Sequence, residues 1–257
     1  MKIISLISGS TGNCTYVETT TRKILIDLGS TTKQIKEKLE QIKIKAEEIT
    51  DIVITHSHTD HTSALKTFLN KYNPTIHIKE ETFQEVECLK EYKQINIIDK
   101  HIILEDTNIE AINLSHDSAN CIGLIIEEFG KTIVYLTDTG YLNKRYINKL
   151  KNKEVYFIES NHDVEMLLNG PYPEYLIRRV IGPKGHLSNK DTALYLTKLI
   201  GEKTKEIVLL HLSEKNNTEE KTLETIAETF KEYELSFHQY SCAKPKEISK
   251  EIEIWLN

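Results

Sequence analysis

Three imidazoles and one carboxylate fall within six residues in Thr55-His56-Ser57-His58-Thr59-Asp60-His61, directly after the apolar run Ile52-Val53-Ile54. Imidazole nitrogens and carboxylate oxygens are the donors that divalent zinc and manganese take. If the run is a buried strand opening into a loop, His56 and His58 share one side of the extended backbone, roughly 7 Å apart at Cα. Both can then reach one ion at about 2.0–2.1 Å. Asp60 and His61 continue past the turn, where their side chains can face a second ion. A chance cluster of surface histidines leaves the apolar run in front unexplained.

Three more residues of the same chemistry follow apolar runs. His116 comes after Ile109-Glu110-Ala111-Ile112-Asn113-Leu114, Asp138 after Ile133-Val134-Tyr135-Leu136, and His211 after Glu206-Ile207-Val208-Leu209-Leu210. In α/β sheets the ends of strands gather short loops from distant parts of the chain, and ligands bind there. Each residue alone reads as a loop histidine or a helix-capping aspartate; together with residues 55–61 they read as one metal site. His162, among polar residues after a strand at 154–159, reads equally as an extra ligand, a substrate contact or a structural hydrogen bond. His77, His101 and His238, in strand-like or connecting segments without partners, read as structural.

The elements that must position these residues alternate along the chain. Strands are expected near 3–7, 14–18, 23–27, 51–55, 75–78, 95–98, 101–104, 108–114, 121–127, 131–137, 154–159, 205–210 and 235–239, with Phe129-Gly130-Lys131 as a hairpin turn. Helices are expected near 32–44, 62–72, 82–90, 143–150, 174–181, 188–200 and 218–231. No Pro-, Gly- or Ser-rich linker and no internal repeat divides the 257 residues, so an α/β fold in a single domain, 1–257, is expected. There is no transmembrane-length apolar run and no signal-peptide pattern, which points to a cytoplasmic protein without membrane attachment. Cys14, Cys88, Cys121 and Cys242 are scattered and read as reduced thiols, Cys14 as a buried one. A net charge of −6 argues against a broad basic face for coating nucleic acid, but leaves room for a small anionic substrate or a chain end at a cationic cleft.

These blocks resemble the metallo-β-lactamase fold superfamily, whose members carry H-x-H-x-D-H followed by His, Asp and His on successive strand ends. Ser8-Gly9-Ser10-Thr11-Gly12-Asn13-Cys14, Ser115-His116-Asp117, Glu159 to Leu167, Asn169-Gly170-Pro171-Tyr172-Pro173, Gly185-His186-Leu187-Ser188-Asn189 and His211 to Thr218 extend the likeness to its YycJ/WalJ subfamily of bacterial metal-dependent hydrolases. The resemblance implies an αββα sandwich with two divalent ions, Zn²⁺ or Mn²⁺, at one sheet edge. It implies His56, His58 and His116 as ligands of the first, Asp60, His61 and His211 of the second, and Asp138 as the bridge. It also suggests a DNA 5′-to-3′ exonuclease. The short interval between Asp138 and His211 holds no β-CASP-type insertion, which weakens an RNase J-like reading.

Two such ions acidify a shared water into a nucleophile and neutralise phosphoryl oxygens, with Asp60 placed to orient that nucleophile. His186 precedes a helix opened by Ser188 with Asp191 at its third position, a setting that favours phosphate. In RNase Z-like relatives a histidine before a helix, paired with a glutamate on an earlier strand, binds the scissile phosphate; His186 and Glu159 look similar, although Leu187 replaces the small residue of that motif. The leading expectation is a metal-dependent phosphodiesterase acting on nucleic-acid ends, DNA preferred. The alternatives are a small-molecule hydrolase of a cyclic nucleotide or other small phosphodiester, lactone or thioester, and a binding module with an inert metal site. The sequence carries no signal for oligomeric state.

Overall fold

The computed structural model describes residues 1–255 and builds two seven-stranded sheets from fourteen strands. The first sheet takes β1 (Lys2–Ile7), β2 (Cys14–Glu18), β3 (Lys23–Ile26), β4 (Asp51–Val53), β5 (Thr75–Ile78) and β6 (Ile95–Ile97). The second takes β7 (His101–Leu104), β8 (Thr107–Asn113), β9 (Ile122–Glu128), β10 (Lys131–Leu136), β11 (Val155–Glu159), β12 (Glu206–Leu210) and β13 (Tyr240–Cys242). The chain then returns to the first sheet, where β14 (Ile252–Glu253) pairs antiparallel with β1. Each sheet is antiparallel on one side and parallel on the other: β3 to β6 run parallel, as do β10 to β13.

Both faces of the central strands are buried, which is why they read as continuous apolar runs rather than alternating ones. Successive side chains still point to opposite faces. Ile3, Val53 and Tyr135 join the core between the sheets, whereas their neighbours Ile4, Ile52 and Val134 face the outer helical layers. The layer outside the first sheet includes α1 (Thr32–Gln41), α3 (Leu65–Leu69) and α4 (Glu80–Glu85), while the short α2 (Thr59–Thr62) follows β4 with His61 as its buried residue. Outside the second lie α5 (Lys144–Leu150), α8 (Asn189–Leu199) and α9 (Glu219–Glu232), with α6 (Val164–Asn169) and α7 (Glu174–Ile181) between β11 and α8. This is the expected αββα sandwich. Among the described residues no helix is long and apolar enough to cross a membrane.

Several local expectations need correction. The helix expected at 32–44 stops at Gln41, because Lys43 adopts a left-handed φ of 61° that turns Ile44 back into the core. The helix expected at 62–72 is two short pieces, and the first begins at Thr59, so Asp60 and His61 sit on a helical turn. The helix at 82–90 becomes α4 and a 3₁₀ turn at Glu87–Leu89. The strand expected at 235–239 is irregular: Leu235 and Phe237 pack against the outer core without a ladder, and pairing starts at Tyr240. Three elements, α6, β14 and a 3₁₀ turn at Ala46–Glu48, have no counterpart in the sequence reading. The β9–β10 hairpin turns on Phe129 and Gly130 alone, both at positive φ as a two-residue type I′ turn requires.

Candidate metal centre

The ends of parallel strands converge at one edge of the sandwich. β3 runs into Asp27, β4 into Thr55 to His61, β10 into Asp138, β11 is closed by Glu159, and β12 runs into His211. Asp27, Asp138 and His211 all hold left-handed backbone, with φ of 61°, 58° and 57°. That conformation is uncommon outside glycine and turns each side chain abruptly from its strand's direction toward the centre.

The seven residues expected as ligands come together. Donor atoms of His56, His58 and His116 lie within 4.8 Å of one another, as do those of Asp60, His61 and His211. Asp138 reaches both groups, with Oδ2 at 3.2 Å from His61 Nε2, Oδ1 at 3.0 Å from His211 Nδ1, and Oδ1 at 3.9 Å from His116 Nε2. A third group joins Asp138 and His211 to Glu159 and His186.

Most of the imidazoles are oriented by groups outside the cluster. The Thr55 hydroxyl donates to Asp27 Oδ2 at 2.8 Å, so its oxygen accepts from His56 Nδ1 at 3.0 Å, and His56 Nε2 is left buried with no hydrogen-bond partner. His61 Nδ1 lies 2.8 Å from Asp27 Oδ2, and His116 Nδ1 lies 3.2 Å from the Gly185 carbonyl. A carboxylate or carbonyl can only accept, which puts the proton on those nitrogens and turns each Nε2 toward the cluster, where His61 Nε2 meets Asn13 and His116 Nε2 meets His58. His58 is reversed: Nε2 faces Asp117 Oδ1 at 3.5 Å while Nδ1 lies 3.2 Å from His116 Nε2. A buried Nε2 without a partner, an all imidazole and carboxylate donor set, and outer hydrogen bonds that fix His56, His61 and His116 are what one or two divalent ions require.

Electrostatics agree. Burial, together with the neighbouring His61, His116 and His58, drives His56 well below the usual imidazole range, so it is neutral. Burial alone would raise Asp138 and Glu159, but His211 and His61 hold Asp138 well below the carboxylate range, and His186 and His211 hold Glu159 at about 2. Burial would lower His211, yet the Asp138 and Glu159 carboxylates outweigh it and raise it to about 10. The cleft is thus rich in ionised carboxylate, which holds His61 and His211 above the usual imidazole range.

His186 stands at the edge of this group, Nδ1 2.7 Å from Glu159 Oε1 and 3.6 Å from Asp138 Oδ1. Glu159 Oε1 is also 3.2 Å from His211 Nδ1, and its Oε2 accepts from the backbone of Thr139 and Leu187. Ser188 caps α8, its side chain accepting from Asp191 N. His162 falls outside the donor groups: its ring is buried with Nδ1 unpartnered, burial lowers it to about 4, and its carbonyl accepts from Asn189 N at 2.9 Å. His77 is not partnerless as expected. It is buried between Asp51 Oδ1 at 2.7 Å and Asn96 Nδ2 at 2.9 Å, away from the site. The four cysteines are free, and Cys14 is buried.

Sequence reasoning missed Asp27 and Asn13. The signal for Asp27 is an acid closing the apolar run Ile24-Leu25-Ile26. Asn13 sits in the quoted Gly-rich block, its Nδ2 2.9 Å from His61 Nε2 and 3.2 Å from Asp60 Oδ2. Gly29 is obligatory beside them, because an added Cβ would run into the Asp60 carbonyl oxygen and the Asn13 amide nitrogen.

Known proteins share much of the sequence and the frame. The profile of the Metallo-beta-lactamase superfamily matches residues 7–93, which include the 56–61 block. The chain is 37% identical over 222 residues to the exodeoxyribonuclease WalJ of Streptococcus pneumoniae, covering 84% of this chain and 82% of that one. It is 33% identical over 232 residues to the exodeoxyribonuclease YycJ of Bacillus anthracis, covering 88% of each. The crystal structure of the metallo-beta-lactamase fold protein YhfI from Bacillus subtilis superposes with a TM-score of 0.72 at 14% identity, covering 97% of this chain and all of that one. With the strand ends, the prepared imidazoles and these relatives in agreement, the chain belongs to the metallo-β-lactamase superfamily, in the group of the WalJ and YycJ proteins, and is a metal-dependent hydrolase.

Proposed function

We propose that residues 1–257 form one cytoplasmic phosphodiesterase domain that removes nucleotides from DNA ends in the 5′-to-3′ direction, with Zn²⁺ or Mn²⁺ as its cofactor. The observation that carries the reading is the contact of His186 Nδ1 with Glu159 Oε1 at 2.7 Å, beside a complete donor set but outside either ligand triad. A phosphodiester must have its charge held and its leaving oxygen protonated, and an imidazole fixed by a carboxylate beside the donor set can serve both. The names of the relatives supply the polymer, DNA, and the attack at an end.

His56, His58 and His116 would hold one ion, Asp60, His61 and His211 the other, and Asp138 both. When bound, the pair supplies an acidified water and positive charge for the phosphoryl oxygens. The rest is done by this chain's own groups. Asp60 Oδ2, 3.4 Å from His61 Nε2 and 3.7 Å from His211 Nε2, faces the centre and orients the attacking water as an acceptor. Glu159 accepts from His186 Nδ1–H, which fixes the ring and leaves Nε2 toward the substrate. A proton held at Nε2 can bond a phosphoryl oxygen and pass to the leaving alkoxide. The Asn189 N–H bond to the His162 carbonyl braces the loop that carries this ring.

The test is a turnover panel for protein of measured metal content: linear 5′-phosphorylated DNA, closed circular DNA, RNA, a cyclic mononucleotide and a thioester. Release of mononucleotides from linear DNA, with circles resistant, is expected. Brisk thioester hydrolysis with no phosphodiester turnover in either metal would overturn the reading.

A further inference from the structure

Arg179, in the last turn of α7, brings a guanidinium to the mouth of the metal centre. Its Nε lies 2.5 Å from Asp117 Oδ2, and the other oxygen of that carboxylate lies 3.5 Å from both His58 Nε2 and His116 Nε2. The side chain is 54% exposed, and among the described residues Asp117 is its one ion-pair partner, so the Nη donors open toward solvent. Its neighbour Arg178 is instead tied to Glu174 along the same helix.

The guanidinium is not needed to pin this segment. His186 N donates to Val180 O at 2.9 Å, Gly185 N to Gly182 O at 2.8 Å, and Ser115 Oγ to Pro183 O at 2.7 Å. Gly185 packs so closely on the Arg179 and Val180 carbonyls that a Cβ has no room. A half-exposed ion pair also adds little stability. What Asp117 does is hold Nε and so aim the planar fork, leaving donors suited to a phosphate's paired oxygens. Because Asp117 stands between the guanidinium and His58 and His116, the fork reaches beyond the atom that would be attacked.

We propose that Arg179 binds the phosphate neighbouring the scissile one, and so selects a polynucleotide end over a lone phosphodiester. This rests on the phosphodiesterase reading above. A substrate with a single phosphate leaves the Nη donors empty.

The test uses metal-loaded wild type, R179M and R179K, with phosphorothioate-protected, 5′-phosphorylated duplex DNA followed by fluorescence anisotropy across a salt series. Losing one phosphate contact reduces the slope of log K against log salt by about 0.9. R179M is expected to show that reduction and R179K to keep the wild-type slope. In parallel, the loss of kcat/KM for R179M on linear DNA should exceed its loss on bis-p-nitrophenyl phosphate by about tenfold, the size of one charged contact. DNA that wild type binds and cleaves, with an unchanged salt slope in R179M, overturns the role of Arg179 alone. No salt-dependent binding and no cleavage by wild type overturns the phosphodiesterase reading and this inference with it.

Discussion

Asp27 Oδ2 lies 2.8 Å from His61 Nδ1, and both side chains are fully buried, so an imidazole on the turn after β4 is oriented by a carboxylate at the end of β3. Asp27→Asn tests that support cleanly, because asparagine tolerates the left-handed backbone found there. The variant should fold and lose about 10–100-fold in metal affinity at the Asp60–His61–His211 position. Competitive titration against a chromophoric chelator reads it. Wild-type affinity would show that His61 is oriented by Asn13 and the backbone alone.

Asp138 and Asp60 should fail differently. Asp138 contacts both donor groups, whereas Asp60 belongs to one. Asp138→Ala is expected to weaken retention of both ions, and Asp60→Ala mainly of one. Metal analysis after exhaustive dialysis distinguishes them, and a saturated stoichiometry near one per wild-type chain would remove the dinuclear assignment.

His186→Ala should keep metal content and fold while losing roughly 10²–10⁴-fold in rate on DNA, the scale of general acid catalysis. A nitrophenolate leaves without much help from a proton donor. Bis-p-nitrophenyl phosphate should therefore show a far smaller defect if His186 protonates the leaving oxygen, and an undiminished one if it only binds phosphate. A wild-type rate on DNA would reduce His186 to a loop residue.

Gly29→Ala places a methyl group against the backbone of Asp60 and Asn13. Neither carbonyl nor amide can retreat, since Asn13 N donates to Asp60 O and Gly29 N to Asn13 O, each at 2.8 Å. Overpacking of this kind costs about 1–3 kcal/mol, read as a lower urea midpoint, and should also displace Asp60 enough to depress activity. A fully active, equally stable variant would contradict the packing described.

Asp51 offers a pH-dependent contribution remote from the centre. Burial would raise its carboxyl, but His77 at 2.7 Å, Thr50 and Arg22 hold it below its ordinary value of 3.8. A carboxyl depressed on folding stabilises fully above its unfolded pKa and loses that contribution as pH falls through the folded value. The stability gap between wild type and Asp51→Asn should thus be widest near neutrality and close below about pH 4. Urea midpoints across the acid range check it; a gap that stays constant there would mean the effect is steric.

Much of the centre was legible because donors able to hold a divalent ion are of few residue types and gather at strand ends. His56 to His61, His116, Asp138 and His211 satisfy both conditions, and the apolar runs before them are continuous because both sheet faces are covered. Asp27 also follows a strand, but its role was not legible, since a carboxylate that supports a ligand has no spacing rule linking it to His61, 34 positions away. Arg179 was hidden for the same reason: its partner Asp117 is 62 positions distant. The strand at Tyr240–Cys242 was misplaced because Leu235 and Phe237 alternate like a strand yet serve only packing, and β14 is too short to show a period.

The centre lies on the seam between the sheets, with His56 to His61 supplied by the first and His116, Asp138 and His211 by the second. Neither half owns a full set of donors, so tight binding is a property of the docked pair alone. An ion with no comparable affinity for the separated halves draws the docking equilibrium toward closure in proportion to its occupancy. The same ions that serve the chemistry are then a clasp on one edge of the sandwich. Starvation for metal would reach the protein first as a loosening of that edge, while the apolar core between the sheets still held the remainder shut.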